Sequence, residues 1–248
     1  MVTESTRRQA STSRRRFARA AAGAIRPFAL VAALIVLLSA FAGAVPARAD
    51  DSAAHPPLGI FIYAISRDGS PVGQQRMEFI GDGAKLRVIS HTELKVTLLG
   101  MSLFDYDQQL EEVRSGGKIM SFTADTDDDG KDKKVTLTLQ GDRLKGSYNN
   151  KTQRDLDPTL ATSLFWQKPE MGKTQVIDHE RGKLRDIRVT EVGAETLKLP
   201  LGKVETEHYR VTGELKRELW YDASGVLVAG QRQGPDGSTV RLELQQRP

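Results

Sequence analysis

The sequence predicts an all-β or β-rich α+β domain: a strongly curved antiparallel sheet, a half-barrel or barrel-like meander, with one short helix packed on it. Three observations carry this prediction. Apolar and polar residues alternate with a period of two through most of the chain, as where Val135, Leu137 and Leu139 oppose Lys134, Thr136 and Thr138, the pattern of strands with one face buried. The alternating segments are joined by loops such as Asp222-Ala223-Ser224-Gly225 and Pro235-Asp236-Gly237, in which Asp opens a turn and Gly takes the positive φ that closes it. One stretch, 149–173, breaks the alternation and gathers apolar residues at helical spacing.

The domain starts some way into the chain. Residues 1–27 carry Arg7, Arg8, Arg14, Arg15, Arg16, Arg19 and Arg26 against Glu4, residues 28–45 are uncharged, and Ala47-Arg48-Ala49 is a small-x-small cleavage site. This reads as an export signal over 1–49, leaving 50–248 as a single β-rich domain. Ser13-Arg14-Arg15-Arg16-Phe17-Ala18-Arg19 resembles a twin-arginine signal and equally fits an ordinary basic n-region. Both routes lead to the bacterial periplasm, with no membrane span after cleavage; retention of 28–45 as an anchor is the alternative, disfavoured by the cleavage site and by a length at the lower limit for spanning. The signal holds eight of the 36 basic residues and one of the 32 acidic ones, so 28 basic and 31 acidic residues remain. No basic stripe is left to argue for nucleic acid. The absence of cysteine excludes disulfides and lipid attachment at a cysteine after the signal.

Residues 50–58, with His55-Pro56-Pro57, form an extended leader. Strands follow at 60–66, apolar on both parities, and at 74–80. The run 85–99 is too long for one flat strand, which predicts a bend near 90–92. Residues 101–114 also suit a short helix, but Ser115-Gly116-Gly117 and the alternation of 119–126 continue a meander and favour a strand. Strands at 134–139 and 144–148 are joined by Gly141-Asp142. Pro158 to Trp166 then fits about two helical turns, with Asp157 as the cap and Pro158 at the first position. Leu160, Leu164, Phe165 and Trp166 lie on one side of that helix, which should plug one end or face of the sheet and separate its two halves. Strands resume at 174–178, 184–192, 196–199 and 203–211. A final ladder follows, in which Leu215, Leu219 and Tyr221 share one parity and Lys216, Glu218, Trp220 and Asp222 the other.

Few residues are arranged for chemistry. Asp125-Thr126-Asp127-Asp128-Asp129-Gly130 matches the first half of a calcium loop, which makes Asp125, Asp127 and Asp129 the metal-ligand candidates. Thr136 stands where the loop's closing Glu belongs and Lys131, Lys133 and Lys134 crowd the site. A hairpin tip explains the same residues and is preferred, so no metal or cofactor is expected. Asp178 and Glu180 beside His179 could form a metal or general-base cluster, but adjacent residues on a strand point to opposite faces and a charged turn is preferred; Glu111-Glu112 and Glu205 with Glu207 read as solvated strand faces. No nucleophile elbow, phosphate loop or dinucleotide fingerprint is present, so nothing supports an enzyme. Phe165, Trp166 and Trp220 are the candidates for contact with an apolar ligand. Trp220 either closes an ordinary core beneath the helix, the preferred reading, or lines a groove between sheet and helix.

Tyr63 with Gly69 and Gly73, Thr126 to Gly130, Leu164-Phe165-Trp166, and Leu219-Trp220-Tyr221-Asp222 followed by Gly225 and Asp236-Gly237 occur in an order that resembles an exported proteobacterial family known only as a domain of unknown function. That family is similar in organisation to periplasmic β-rich proteins whose curved sheet wraps a helical plug, as in lipoprotein carriers. The resemblance implies a non-enzymatic binding or carrier protein for a lipid or an acylated envelope partner. An envelope scaffold without a ligand is the alternative, and a hydrolase the third reading. The oligomeric state is not legible in the sequence.

Overall fold

Fourteen strands, each antiparallel to its neighbours, form one sheet in the computed structural model, which describes residues 55–98 and 101–248. The export signal expected at 1–49 lies outside the described residues. A first meander comprises β1 (Gly59–Arg67), β2 (Ser70–Asp82), β3 (Lys85–Leu98), β4 (Met101–Ser115), β5 (Lys118–Asp128), β6 (Asp132–Gln140), β7 (Arg143–Tyr148) and β8 (Thr152–Leu156). A second comprises β9 (Gln175–Ile177), β10 (Leu184–Leu199), β11 (Gly202–Gly213), β12 (Arg217–Asp222), β13 (Leu227–Gln233) and β14 (Thr239–Gln246). The meanders join where β1 pairs with β14, giving the order β8 to β1, then β14 to β9. The sheet is therefore not closed by hydrogen bonds: its edges, β8 and β9, are consecutive strands flanking the segment that breaks the alternation.

Register assigns each side chain to a face. Tyr63 stands opposite Leu244 and Gln75, Val88 opposite Phe79 and Glu112, and Phe122 opposite Glu112 and Leu137. All of these share the inner face, and all are buried. Long twisted strands curl this face inward, and at Gly73 the backbones of β2 and β3 come so close that a Cβ would sit 1.9 Å from the carbonyl oxygen of Glu93. Only glycine fits there. The two predicted turns of the final ladder form as expected. The Asp222 carboxylate accepts the Ser224 and Val226 amides at 2.9 and 3.0 Å, and Gly225 and Gly237 have φ of 76° and 84°.

The expected helix does not form, and no helix occurs among the described residues. Asp157 does accept the Thr159 amide, at 2.8 Å, as a cap would. The chain then leaves the helical path because its backbone groups are claimed from elsewhere. Thr162 bridges to Ile177 of β9, the Ser163 amide donates to the Ile177 carbonyl at 2.8 Å, and the Ile177 amide donates to Ala161 at 2.9 Å. Phe165 adopts φ of 53°, a left-handed conformation that ends any helix. The segment nevertheless performs the predicted packing, since Phe165 and Trp166 are 3% and 2% exposed. It is an irregular plug between the sheet edges.

Two further expectations are adjusted. The predicted bend at 90–92 is absent as a register break, because β3 pairs continuously with β4 from Lys85 to Val96 and shifts only at Val96/Thr97. The two segments predicted at 184–192 and 196–199 form one strand, β10, bulged between Glu191 and Gly193.

Candidate functional site

The plug is fixed to both halves of the sheet by buried polar contacts. On β4, the Glu112 carboxylate is wholly buried and accepts from Arg114 at 2.5 Å, the Thr162 hydroxyl at 2.9 Å and the Trp166 indole at 3.3 Å. Arg114 in turn donates to the Leu160 carbonyl at 2.6 Å. On β12, the buried Tyr221 hydroxyl donates to the carbonyls of Phe165 and Gln167. Such contacts satisfy backbone groups that an irregular buried segment would otherwise leave unpaired.

Above the plug lies a chamber of about 210 Å³ between the two halves of the sheet. Ile65, Leu94, Leu219, Leu227 and Leu242 form apolar wall, and Ser163 to Phe165 of the plug form part of the lining. A wider space of about 500 Å³, lined by Val72, Val96, Phe104 and Pro235, shares Leu94, Tyr106, Glu180, Arg232 and Val240 with the chamber and so continues it. A separate cavity of about 460 Å³ has Trp166 in its wall.

One wall of the chamber is polar, built from the turn between β9 and β10. The Ser163 hydroxyl lies 2.7 Å from Nδ1 of His179 and accepts the His179 backbone amide at 3.1 Å. Burial depresses the pKa of His179, so the ring is neutral, with Nδ1 accepting from Ser163 and the proton on Nε2. Burial is the largest influence on the Asp178 carboxyl and acts to raise it, but the hydrogen bond from Arg185, at 2.8 Å, the charges of His179 and Arg185 and the bond from the Glu180 amide together outweigh it and the pKa falls. Glu180 behaves likewise: burial acts to raise it, and the charge on His179 once protonated, with Lys133, together lower it; Lys133 bonds Glu180 at 2.8 Å and Asp128 at 2.6 Å. Arg217 and Arg232 also line the chamber.

Of the predicted ligand-contact residues, Phe165 lines the chamber and Trp166 the cavity below. Trp220 lines neither space, although it belongs with Trp166 to one buried apolar cluster. It has the outer-face parity predicted for it, stacks on His208 at 4.5 Å, lies 5.2 Å from the Arg241 guanidinium and donates its indole N–H to Glu195 at 2.8 Å. Asp125 pairs with Lys134 at 3.0 Å and Asp127 accepts the Gly130 amide at 2.7 Å, while Asp129 sits in the turn with φ of 55°. Among the described residues one trio, His91, Glu93 and Asp107 on the outer face, brings potential ligand atoms within 4.8 Å of one another.

Several site residues escaped the sequence reading. Glu112, expected on a solvated face, is buried, in keeping with the parity it shares with Leu110. Arg217 shares parity with Leu219 and Tyr221, so its inward position was encoded in the alternation. The Ser163–His179 contact joins two irregular segments and left no periodic trace.

A curved antiparallel meander wrapped on a plug, with a partly apolar chamber opening between its halves, defines a β-barrel-like protein. The chain belongs to the family described as Domain of unknown function (DUF6134), whose pattern matches residues 63–245. It is similar to the solved β-barrel-like protein of domain of unknown function DUF1849 from Brucella abortus, with a TM-score of 0.56 and 13% identity over 77% of this chain and 95% of that one. A putative outer membrane lipoprotein-sorting protein domain from Vibrio parahaemolyticus aligns at 12% identity over 79% of this chain and 87% of that one. Its TM-score of 0.19 is too low to indicate a shared fold. No curated protein matches the chain.

Proposed function

We propose that this is a periplasmic, non-enzymatic binding or carrier protein for an apolar ligand, a lipid or the acyl group of an envelope partner. The observation that carries the reading is the chamber, whose aliphatic walls come from both meanders and whose opening is lined by Val72, Val96 and Phe104. The chamber alone is smaller than ordinary ligand sites of about 300–1,000 Å³, and the contiguous outer space brings the whole into that range. Among the aromatic candidates, Phe165 is the ligand-contact residue, and Trp166 and Trp220 act through packing. The export signal read at 1–49 supports the periplasmic part of this reading.

Gly230 provides the test. It lies on the chamber wall, and a Cβ there would meet Leu219 and Leu242 at 3.9 Å, ordinary contact distance. Gly230→Leu therefore fills the chamber from a position with space for a side chain. The delipidated protein is expected to bind a fluorescent fatty-acyl probe saturably, and Gly230→Leu to abolish binding with its melting temperature retained. A parent protein that binds no probe overturns the reading and favours a scaffold without a ligand. Fractionation checks the location, with a product starting close to Asp50 expected in the periplasm.

A further inference from the structure

The inward-facing cations of this domain fall into two groups. Arg114, Lys133 and Arg185 each meet a carboxylate: Glu112 at 2.5 Å, Asp128 and Glu180 at 2.6 and 2.8 Å, and Asp178 at 2.7 Å. Arg217 and Arg232 do not. Both are half-buried on the chamber wall. Among the described residues, Arg217 donates only to the neighbouring carbonyl of Lys216, at 2.8 Å, and Arg232 makes no hydrogen bond or ion pair. The nearby acids are engaged elsewhere, Glu180 by Lys133 and Tyr106 and Asp178 by Arg185. The one histidine on this wall is held by Ser163.

Two guanidiniums sharing a partly desolvated wall with no carboxylate in direct contact is an unfavourable arrangement for the empty protein. Burial, and next the charge of Arg232, lower the Arg217 pKa to about 10 against the opposing charges of Glu180 and Asp178, the direction expected where nearby anions compensate burial only in part. Guanidiniums present forked donors suited to carboxylate or phosphate oxygens. Ile65, Leu94, Leu219 and Leu242 stand in the same chamber, so whatever anion enters carries an apolar body.

We propose that Arg217 and Arg232 hold the acidic head group of an amphiphile, a carboxylate or phosphate on an alkyl chain, whose chain lies along the aliphatic wall toward Val96 and Phe104. This inference rests on the carrier reading and adds the chemistry of the head group to it.

The test compares ligands of one chain length on the delipidated protein by calorimetry: dodecanoate, dodecyl phosphate, dodecanol and dodecyltrimethylammonium, with acetate and inorganic phosphate as chain-free anions. A charge-assisted hydrogen bond contributes enough that the acidic amphiphiles should bind at least about tenfold tighter than dodecanol. The cationic ligand should bind weakest, and the chain-free anions far more weakly than dodecanoate. Arg217→Gln and Arg232→Gln should each remove most of the acid-over-alcohol preference while leaving dodecanol affinity unchanged. Equal affinity for dodecanol and the acids in the unmodified protein overturns the proposal, and that comparison needs no variant to fold. Acetate or phosphate binding as tightly as the amphiphiles also overturns it, in favour of a simple anion site. Failure of dodecanol and dodecanoate alike removes the carrier reading itself and this proposal with it.

Discussion

The hydroxyl of Tyr221 donates to the carbonyl of Phe165 across 2.6 Å, joining the centre of the second meander to the plug. Burial raises the Tyr221 pKa well above its ordinary value, so the phenol remains a donor at any working pH. Tyr221→Phe keeps the ring and deprives the Phe165 carbonyl of this partner. It should cost about 1–3 kcal/mol, read as a shifted midpoint in urea unfolding, and an unchanged midpoint would show that this hydrogen bond does not help to hold the plug.

Glu112 anchors the same plug from the first meander. Glu112→Ala would leave Arg114, 5% exposed, without its ion-pair partner in an apolar setting. The expected loss is about 3–5 kcal/mol. Replacing the pair together, as Glu112→Leu with Arg114→Met, should cost much less, and unfolding curves of the single and double variants separate the two outcomes.

The polar wall makes stability depend on pH. His179 has a folded pKa below its unfolded value, so its contribution is complete above that unfolded value, about 6.5. It is lost as pH falls through the lower folded value, because the unfolded chain then binds the extra proton. Asp178 and Glu180, also depressed, add a loss of the same sign at lower pH, below their unfolded values of about 4. Unfolding free energy should therefore decline on acidification from pH 7, and His179→Asn should flatten the upper part of that decline. Identical pH slopes in parent and variant would refute the assignment.

Trp220 offers a control for the chamber. Trp220→Ala should destabilise by about 3–5 kcal/mol, since the ring is 6% exposed, yet leave the affinity for an acyl probe unaltered. A lost affinity with stability intact would return the ligand to the outer face.

The aspartate-rich tip between β5 and β6 should be indifferent to calcium. With Asp125 committed to Lys134 and Asp127 to the Gly130 amide, millimolar calcium is expected to leave the melting temperature unmoved, because only an ion that binds the folded form raises it. A saturable rise removed by Asp127→Ala would establish a site.

Much of this was legible in the residues. Alternation located the strands, Asp222 and Gly225 located a turn, and the parity of Trp220 put it opposite Leu219 and Tyr221. What was hidden depends on partners distant in the chain. Nothing local to 157–166 reveals that Ile177 will take its backbone hydrogen bonds, so a capped, apolar stretch reads as a helix. Nothing near Glu112 announces Thr162 and Trp166. Ser163 and His179 each lie in irregular chain, where periodicity is silent.

The order of the sheet places the ends of the domain at its centre and the middle of the chain at its margins. Every strand pairing but one joins consecutive strands, and the exception, β1 with β14, needs the last strand made. Loop closure of that length is slow relative to hairpin formation, so during synthesis both meanders can form before anything unites them. Gly59 and Pro248 end up so close that a Cβ on the glycine would lie 2.6 Å from the proline ring. A circular permutant that links these ends and opens at exposed Gly172 would pair only sequence neighbours throughout its sheet, turning the last contact to be made into one of the first.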